Sequence, residues 1–406
     1  MTQPLGQLIR AIQEELQVLQ QDDLLRTLTT IEEIHGPTVR IHGTWLVSWC
    51  TNDYLGLASH PRVIEAAIEA AKRFGVGSRA SRLLAGSTRL HADLEDRLAS
   101  FFHAESAVVY PSGYLANLGT LSALLGPQDV VLVDRLAHAS LIDACRAARA
   151  TFRVFRHHDV AHVAATLERY ANARRRLVVT EGVFSMDGDL APLERLLEVA
   201  QRHDALLYVD DAHGAFAMGA TGRGSPEALG VPHEAMIYMG TLGKALGCQG
   251  GFVVGPTPLI RLLQNRARTF MYATALATPV VGAAIEALRV LEDDASFRQR
   301  LADNVQRFHQ SLSDLEGFDS RSPSHIVPII VGSARRAREL SSQLWQRGMF
   351  AQAIRPPTVP EGTARLRISL SALHTPEQLE MLSRLLHELL PRRVSSQSSI
   401  QSDDLP

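Results

Sequence analysis

The segment GTLGKALGCQGG, residues 240–251, sets Lys244 among five glycines. The chain holds one other lysine, Lys72, against 39 arginines. Nearly every cationic side chain is therefore one that cannot give up its proton. An amine can. Partial desolvation takes a lysine below its ordinary pKa of about 10.4, and the neutral amine then forms a Schiff base with an aldehyde. A Walker-type phosphate loop is a poorer reading, because Ala245 follows the lysine where Ser or Thr is needed and the upstream glycine spacing is wrong.

Other groups with chemistry stand just after short apolar runs. SAVVY leads into PSGY, DVVLVD into RLAHAS, RLVVTEGVFS into MDGD, ALLYV into DDAHG, and AMIYM into GTLGK. If those runs are strands of an open α/β sheet, their carboxyl ends share the rim on which ligands bind. The rim then carries a glycine turn opening a helix, His138, Ser185, an Asp–His pair and a Thr–Lys pair. A helix N-terminus offers N–H groups to a phosphate. A strand-end carboxylate holds a pyridine nitrogen protonated, which makes the ring an electron sink. With the lysine, these parts suit pyridoxal 5′-phosphate (PLP).

The elements needed to position them are legible in outline. Residues 5–34 read as one or two amphipathic helices, with Leu8, Ile9, Ile12, Leu16 and Leu19 at helical spacing, and VRIHGTWLVSW as a β segment turned at Gly43. From residue 58, helices alternate with apolar runs at the cadence of a mostly parallel sheet. Beyond about residue 290 come longer polar helices with two β runs, HIVPIIV and ARLRISL. The expected division is an N-terminal helical and β segment at 1–57, a large α/β domain at 58–288, a small α+β domain at 289–391, and a disordered polar tail at 392–406. The formal net charge of −2 and the 46% hydrophobic content exclude a disordered chain and give no support to a nucleic-acid surface. Cys50, Cys145 and Cys248 lack the paired spacing of a metal site and read as reduced structural thiols. No cleavable signal or membrane-length apolar run is evident, so a cytoplasmic protein is expected.

GTLGKALG, VDDAHG, RLAHAS, EGVFSMDGD, TNDYLGL, GVGSRASRLLAGS and IRPPTVPEGTARLRISLSALHT together resemble the α-oxoamine synthases, a family of fold-type I PLP enzymes. The resemblance runs from about residue 20 to residue 390. It implies that fold, a homodimer with MYATAL (271–276) crossing to the neighbour, and a set of roles. Lys244 becomes the Schiff-base lysine. Asp210 becomes the partner of the pyridine nitrogen, with His213 at the family's D-x-x-H spacing. Asp211, pointing to the opposite face, is left to structural work. His138 is implied to stack on the ring, Ser185 and His213 to stand near its phenolic oxygen, and Thr241 to bind phosphate with Gly113 and Tyr114. Arg367, which shares a strand face with Arg365, is the candidate clamp for an amino acid carboxylate. Asn52, Thr358 and, by its spacing from Asn52, Arg26 are candidate substrate contacts. His91 is left as structural.

Within the family, IRPPTVP and SMDGDLAPL imply condensation of L-alanine with a pimeloyl thioester, carried on coenzyme A or on an acyl-carrier protein. Glycine with acetyl- or succinyl-CoA is the alternative within the same chemistry. A partner subunit without catalysis would be expected to lose the lysine. A nucleotide-binding module would need a G-x-G-x-x-G fingerprint, which the chain lacks.

Overall fold

The computed structural model of the chain describes residues 3–318 and 322–391, and the expected tail at 392–406 lies outside them. Seven strands build the central sheet: Ser106–Tyr110, Val130–Asp134, Thr151–Phe155, Arg176–Glu181, Leu206–Asp210, Ile237–Thr241 and Gly251–Gly255. Across the sheet their order is 106–110, 251–255, 237–241, 206–210, 176–181, 130–134, 151–155. Only 251–255 runs antiparallel to its neighbours. The remaining strands therefore deliver their carboxyl ends to one rim, with Glu181 opposite Asp210 and Asp210 opposite Met239.

Strand alternation divides the core in two. Val130, Leu132, Val178, Leu207 and Val209 join the buried cluster on one face, while Val131, Val133, Leu177, Val179 and Tyr208 join the cluster on the other. A parallel sheet covered on both faces needs such continuous apolar runs. Helix Thr278–Asp293 packs along Pro61–Phe74 on the first face, and Gly113–Leu124 packs with Ala139–Ala147 on the second.

A second, antiparallel sheet pairs Ile326–Gly332 with Ala364–Ser369 and then Ala353–Ile354. Near it, the hairpin Thr38–Ile41 and Thr44–Ser48 accepts Met349–Phe350 as a parallel edge. The segment after the hairpin is fastened to the second sheet: Ser369 N–H donates to Trp49 O at 2.7 Å and Ala372 N–H to Tyr54 O at 2.8 Å. That seam sets Asn52 and Tyr54 beside Arg367.

The N-terminal region departs from expectation. One helix, Gln3–Gln21, is followed by irregular chain and a short strand, Glu33–His35. Asp23 adopts a left-handed φ of 60°. After it, Thr27, Thr29, Thr30 and Ile31 are β-branched and resist continuing a helix.

Asp211 is fully buried and accepts from Ser225 N–H (2.8 Å), Ser225 Oγ (2.8 Å) and Tyr238 Oη (2.9 Å). Gly182 and Gly214 crowd its carboxylate so closely that an added Cβ at either would stand 2.1 or 2.2 Å from Oδ1. Tyr238→Phe removes one donor and is expected to lower stability by about 1.5–3 kcal/mol. Asp211→Ala strands three buried donors and should cost more than about 3 kcal/mol. Urea unfolding at roughly pH 8, where an ionised carboxylate is favoured, checks both, and equal losses would refute the network.

Candidate active site

Each group on the rim is held by a specific local device. Lys244 lies in the turn after strand Ile237–Thr241, where Gly247 N–H donates to Lys244 O at 2.8 Å. Gly247 takes φ 68°, and a Cβ there would come within 2.2 Å of Ala58 N, so only glycine suits that turn. Lys244 Nζ lies 2.8 Å from His213 Nε2, and His213 Nδ1 lies 2.6 Å from Tyr54 Oη. Tyr54 Oη in turn donates to Asn52 Oδ1 at 3.0 Å. Burial, followed by the charges of Lys244 and Arg367, keeps the His213 imidazole well below its usual pKa. A neutral ring accepting from Lys244 at Nε2 and donating from Nδ1 to Tyr54 satisfies both contacts.

Asp210 ends its strand with Oδ1 accepting from Ala212 N–H (3.0 Å) and Oδ2 from Asn117 Nδ2 (2.7 Å). Asn117 is itself fixed by Tyr208 Oη on its oxygen (2.8 Å) and gives a second hydrogen to Ser140 Oγ (2.9 Å). Ser140 Oγ stands 2.7 Å from His138 Nδ1, and that nitrogen also caps its helix by accepting from Ser140 N–H at 3.2 Å. Burial, eased by Asp210 and reinforced by Lys244, lowers the His138 pKa. Its Nδ1 therefore serves as an acceptor.

Glu181 is 2% exposed, and both carboxylate oxygens take backbone N–H groups, His138 at 2.7 Å and Ser185 at 3.2 Å. Burial first, then the Asp210 charge, pushes its pKa well up. The Lys244 pKa comes down to about 8: burial lowers it, Asp210 and Glu181 pull it back part of the way, and Arg367 lowers it again. The amine is thus largely neutral above about pH 8, more than two units below an ordinary lysine.

Lys244, Asp210, His138, His213, Thr241, Gly113 and Tyr114 line one small cavity of about 170 Å³. Gly113 opens helix Gly113–Leu124, and Ser112 caps it by accepting from Leu115 N–H at 3.2 Å. First-turn N–H groups have no intrahelical acceptor, so those of Gly113 and Tyr114 are available to an anion. A Cβ on Gly251 would stand 2.6 Å from Gly113 Cα, so the backbones meet there without side chains between. An amine of lowered pKa, a clamped carboxylate and a helix N-terminus around one cavity match the aldehyde, ring nitrogen and phosphate of PLP. The residues fit the group.

The other expected site residues sit in three places. Arg367 is 8% exposed and donates to Ser185 O (2.5 Å), Tyr54 Oη (3.2 Å), Asn52 Oδ1 (3.3 Å) and Ser369 Oγ (3.1 Å). Arg365 is buried too, in an ion pair with Asp187 at 2.5 Å. Arg26 and Thr358 meet each other, remote from the lysine turn in sequence: Arg26 Nη2 reaches Pro356 O at 3.0 Å and Thr358 Oγ1 at 3.4 Å. Two hydroxyls are already committed, Thr241 Oγ1 to Gly250 O (2.7 Å) and Tyr114 Oη to Asp143 (2.6 Å). His91 bonds Leu276 O and Thr88, away from the cavity.

Sequence reading missed Glu181, Asn117, Ser140 and Tyr54. Glu181 and Tyr54 stood inside the quoted motifs EGVFSMDGD and TNDYLGL without a role. Asn117 lies three residues past Tyr114 in an apolar helix and carries no local signal. A further pin, His157, bridges Asp134 Oδ1 (2.9 Å) and Asp189 Oδ2 (2.8 Å) and so ties the Ser185 loop to the sheet. Burial would lower its pKa, but the two carboxylates raise it to about 9.

Residues 44–386 match the family described as aminotransferase class I and II. The chain is 47% identical to the 8-amino-7-oxononanoate synthase of Anaeromyxobacter dehalogenans, over 93% of this chain and 94% of that protein. The enzyme of the same description from Geobacter metallireducens is 46% identical over 91% and 95%. Among solved structures, serine palmitoyltransferase from S. paucimobilis with a bound PLP–myriocin aldimine superposes with TM-score 0.88, 32% identity, and coverage of 93% and 96%. The 8-amino-7-oxononanoate synthase of Francisella tularensis gives TM-score 0.72 at 28% identity, covering 84% and 96%.

With only Lys72 and Lys244 in the chain, amine titration is open to direct measurement. In protein freed of any bound aldehyde, labelling by trinitrobenzenesulfonate, read by peptide mass, should give Lys244 a midpoint near pH 8. Lys72 is exposed and held up by Glu69, so its labelling should still be rising at roughly pH 10. Lys244 titrating with or above Lys72 would overturn the desolvated site.

Proposed function

We infer the function from one premise: the chain belongs to the aminotransferase class I and II family, in its α-oxoamine synthase branch. It is a fold-type I, PLP-dependent acyltransferase that carries out the 8-amino-7-oxononanoate synthase reaction of biotin biosynthesis. L-alanine and a pimeloyl thioester condense, and carbon dioxide and the free thiol leave. The observation that carries the reading is the convergence of Lys244, Asp210 and the Gly113 helix start on one cavity. The 43–47% identity to synthases of that name supports the substrate pair.

Bound PLP supplies an aldehyde for imine formation and a protonated ring that accepts electron density from the substrate α-carbon. The roles of this chain's residues follow from their surroundings. Lys244 Nζ, neutral in part near pH 8, holds the cofactor and, once freed, takes the alanine α-proton. His213 Nε2 at 2.8 Å keeps that amine directed into the cavity. Asp210, fixed by Asn117 and Ala212, holds the proton on the ring nitrogen. His138 walls the cavity, and Ser185 and His213 stand for the phenolic oxygen. Gly113, Tyr114 and Thr241 serve the phosphate, for which Thr241 must turn its hydroxyl from Gly250 O.

Arg367 clamps the alanine carboxylate and releases it when carbon dioxide departs. Its present partners, Asn52 and Tyr54, orient the guanidinium for that task. The pimeloyl chain occupies the cavity of about 800 Å³ that runs from His138 and Ser185 to Pro356–Glu361, with Thr358 and Arg26 at its border. The donor is pimeloyl-CoA or its carrier-protein counterpart.

We also propose a cytoplasmic homodimer. No helix among the described residues is long and apolar enough to cross a membrane. Val76 and Leu84 are each 79% exposed beside Tyr272 at 68%, and the Ser81–Thr274 bridge joins those two loops into one apolar face suited to a second copy.

The test is thiol release by PLP-loaded protein offered pimeloyl-, succinyl- and acetyl-CoA against L-alanine, glycine and L-serine. Release should require pimeloyl-CoA with L-alanine, and Lys244→Ala should abolish it. Arg367→Ala should raise KM for alanine by roughly 10- to 100-fold, the value of a lost charge-assisted hydrogen bond. Release only with glycine and a shorter acyl donor would move the enzyme to another branch. Wild-type rates in Lys244→Ala would refute the chemistry.

A further inference from the structure

The 800 Å³ cavity is walled mainly by apolar side chains, among them Leu24, Leu136, Met186 and Val359, and by the ring atoms of Pro356 and Pro357. It contains one arginine, Arg135. Every other arginine near this region is engaged: Arg365 with Asp187, Arg26 with Pro356 O, Arg367 with Ser185 O, and Arg355 with the Asp23 and Leu25 carbonyls. The Arg135 guanidinium has no hydrogen-bond or ion-pair partner among the described residues. Of the carboxylates that line the cavity, Asp187 is taken by Arg365, and Glu361 lies beyond ion-pair distance of Arg135.

The backbone of Arg135 is nevertheless firmly set. Its N–H donates to Phe155 O at 3.1 Å. The preceding Asp134 is buried, accepts from Leu136 N–H at 2.9 Å and His158 N–H at 3.2 Å, and is bonded to His157. Arg135 is itself exposed where it lines the cavity, so a guanidinium with no protein partner, on a fixed backbone, stands at the border of an apolar channel, open to a carboxylate.

We propose that Arg135 binds the distal carboxylate of the acyl chain and so selects a dicarboxylic acyl thioester. The inference rests on the function read above. Length is consistent with it. The two end carbons of a seven-carbon diacid are six bonds apart, about 7 Å when extended by the reach of a backbone of equal bond count. Arg135 stands three residues before His138, which borders the lysine cavity, so the two Cα atoms are at most about 11 Å apart. A four-carbon diacid spans about half the distance and would leave either the guanidinium or the reacting carbon unserved. A methyl-ended chain of the same length would fill the apolar wall and leave the guanidinium without a partner.

The experiment compares pimeloyl-CoA with heptanoyl-CoA, which differ only at the distal carboxylate, in wild-type PLP-loaded protein and in Arg135→Ala and Arg135→Gln. Wild type should favour pimeloyl-CoA in kcat/KM by roughly 10- to 100-fold. Both variants should raise KM for pimeloyl-CoA by that factor with kcat largely kept, while their KM for heptanoyl-CoA stays within about twofold of wild type. The two donors would then be used alike. Equal losses on both donors, or an undiminished preference for pimeloyl-CoA in the variants, would overturn the assignment. Failure of wild type to release thiol from pimeloyl-CoA would overturn the underlying function, and is seen before any variant is made.

Discussion

The site depends on burying several charges together. Lys244, Asp210, Glu181 and Arg367 occupy a region from which most water is excluded, where an isolated ion would cost several kcal/mol. None of them is isolated. The carboxylates take hydrogen bonds from Asn117 and from backbone N–H groups at Ala212, His138 and Ser185. Arg367 spends its donors on a carbonyl, an amide oxygen and two hydroxyls. What remains uncompensated is the lysine, whose strongest contact is a neutral imidazole. Its pKa falls because burial outweighs the opposing pull of Asp210 and Glu181.

That compensation requires the sheet. Parallel strands end on one rim, so Glu181 and Asp210 become neighbours by register rather than by any local motif. Beyond burial, the Asp210 charge raises the Glu181 pKa, and Lys244 with the His138 and Ser185 N–H groups offsets part of that rise. Asp211, one residue on, faces the other way and is consumed by Ser225 and Tyr238. A one-residue slip would exchange the two aspartates and put the clamped, three-donor carboxylate into the cavity. Gly182, Gly214 and Gly224 leave the room that the Asp211 carboxylate fills.

The sequence made the rim legible because each apolar run ends on a group with chemistry, and motif order fixed which group goes where. The strand cadence and the β run around Arg367 could be read for the same reason: period and turn chemistry are local. Glu181, Asn117 and Ser140 were not legible, because their roles are second contacts made across elements. An asparagine inside an apolar helix carries no sign that it will face an aspartate 93 positions away. The end of the first helix was misjudged because β-branched residues and Asp23 override an apolar period that runs on past residue 21. The first oversight arises where tertiary partners decide, the second where local backbone preference outweighs an apolar period.

On the proposed function, the two halves of the task fall on different parts of the chain. Bond making then falls to the sheet rim, where strand register sets Glu181 beside Asp210. Substrate choice, on the same reading, falls to the segments at 23–28 and 355–361, which hold each other by reciprocal carbonyl contacts, Arg26 to Pro356 and Arg355 to Asp23 and Leu25. Those contacts are exposed or half-buried, and loosening them costs far less than disturbing the rim. The acyl wall can therefore be remodelled without retuning the lysine. A single fold can then keep one cofactor chemistry while accepting donors of different length, which is consistent with serine palmitoyltransferases superposing on this chain at TM-score 0.88 with only 32% identity. Arg135 belongs to neither half alone, since its backbone is fixed at the rim and the residue lines the acyl cavity. A residue so placed can couple the length of the acyl chain to the position of the reacting carbon.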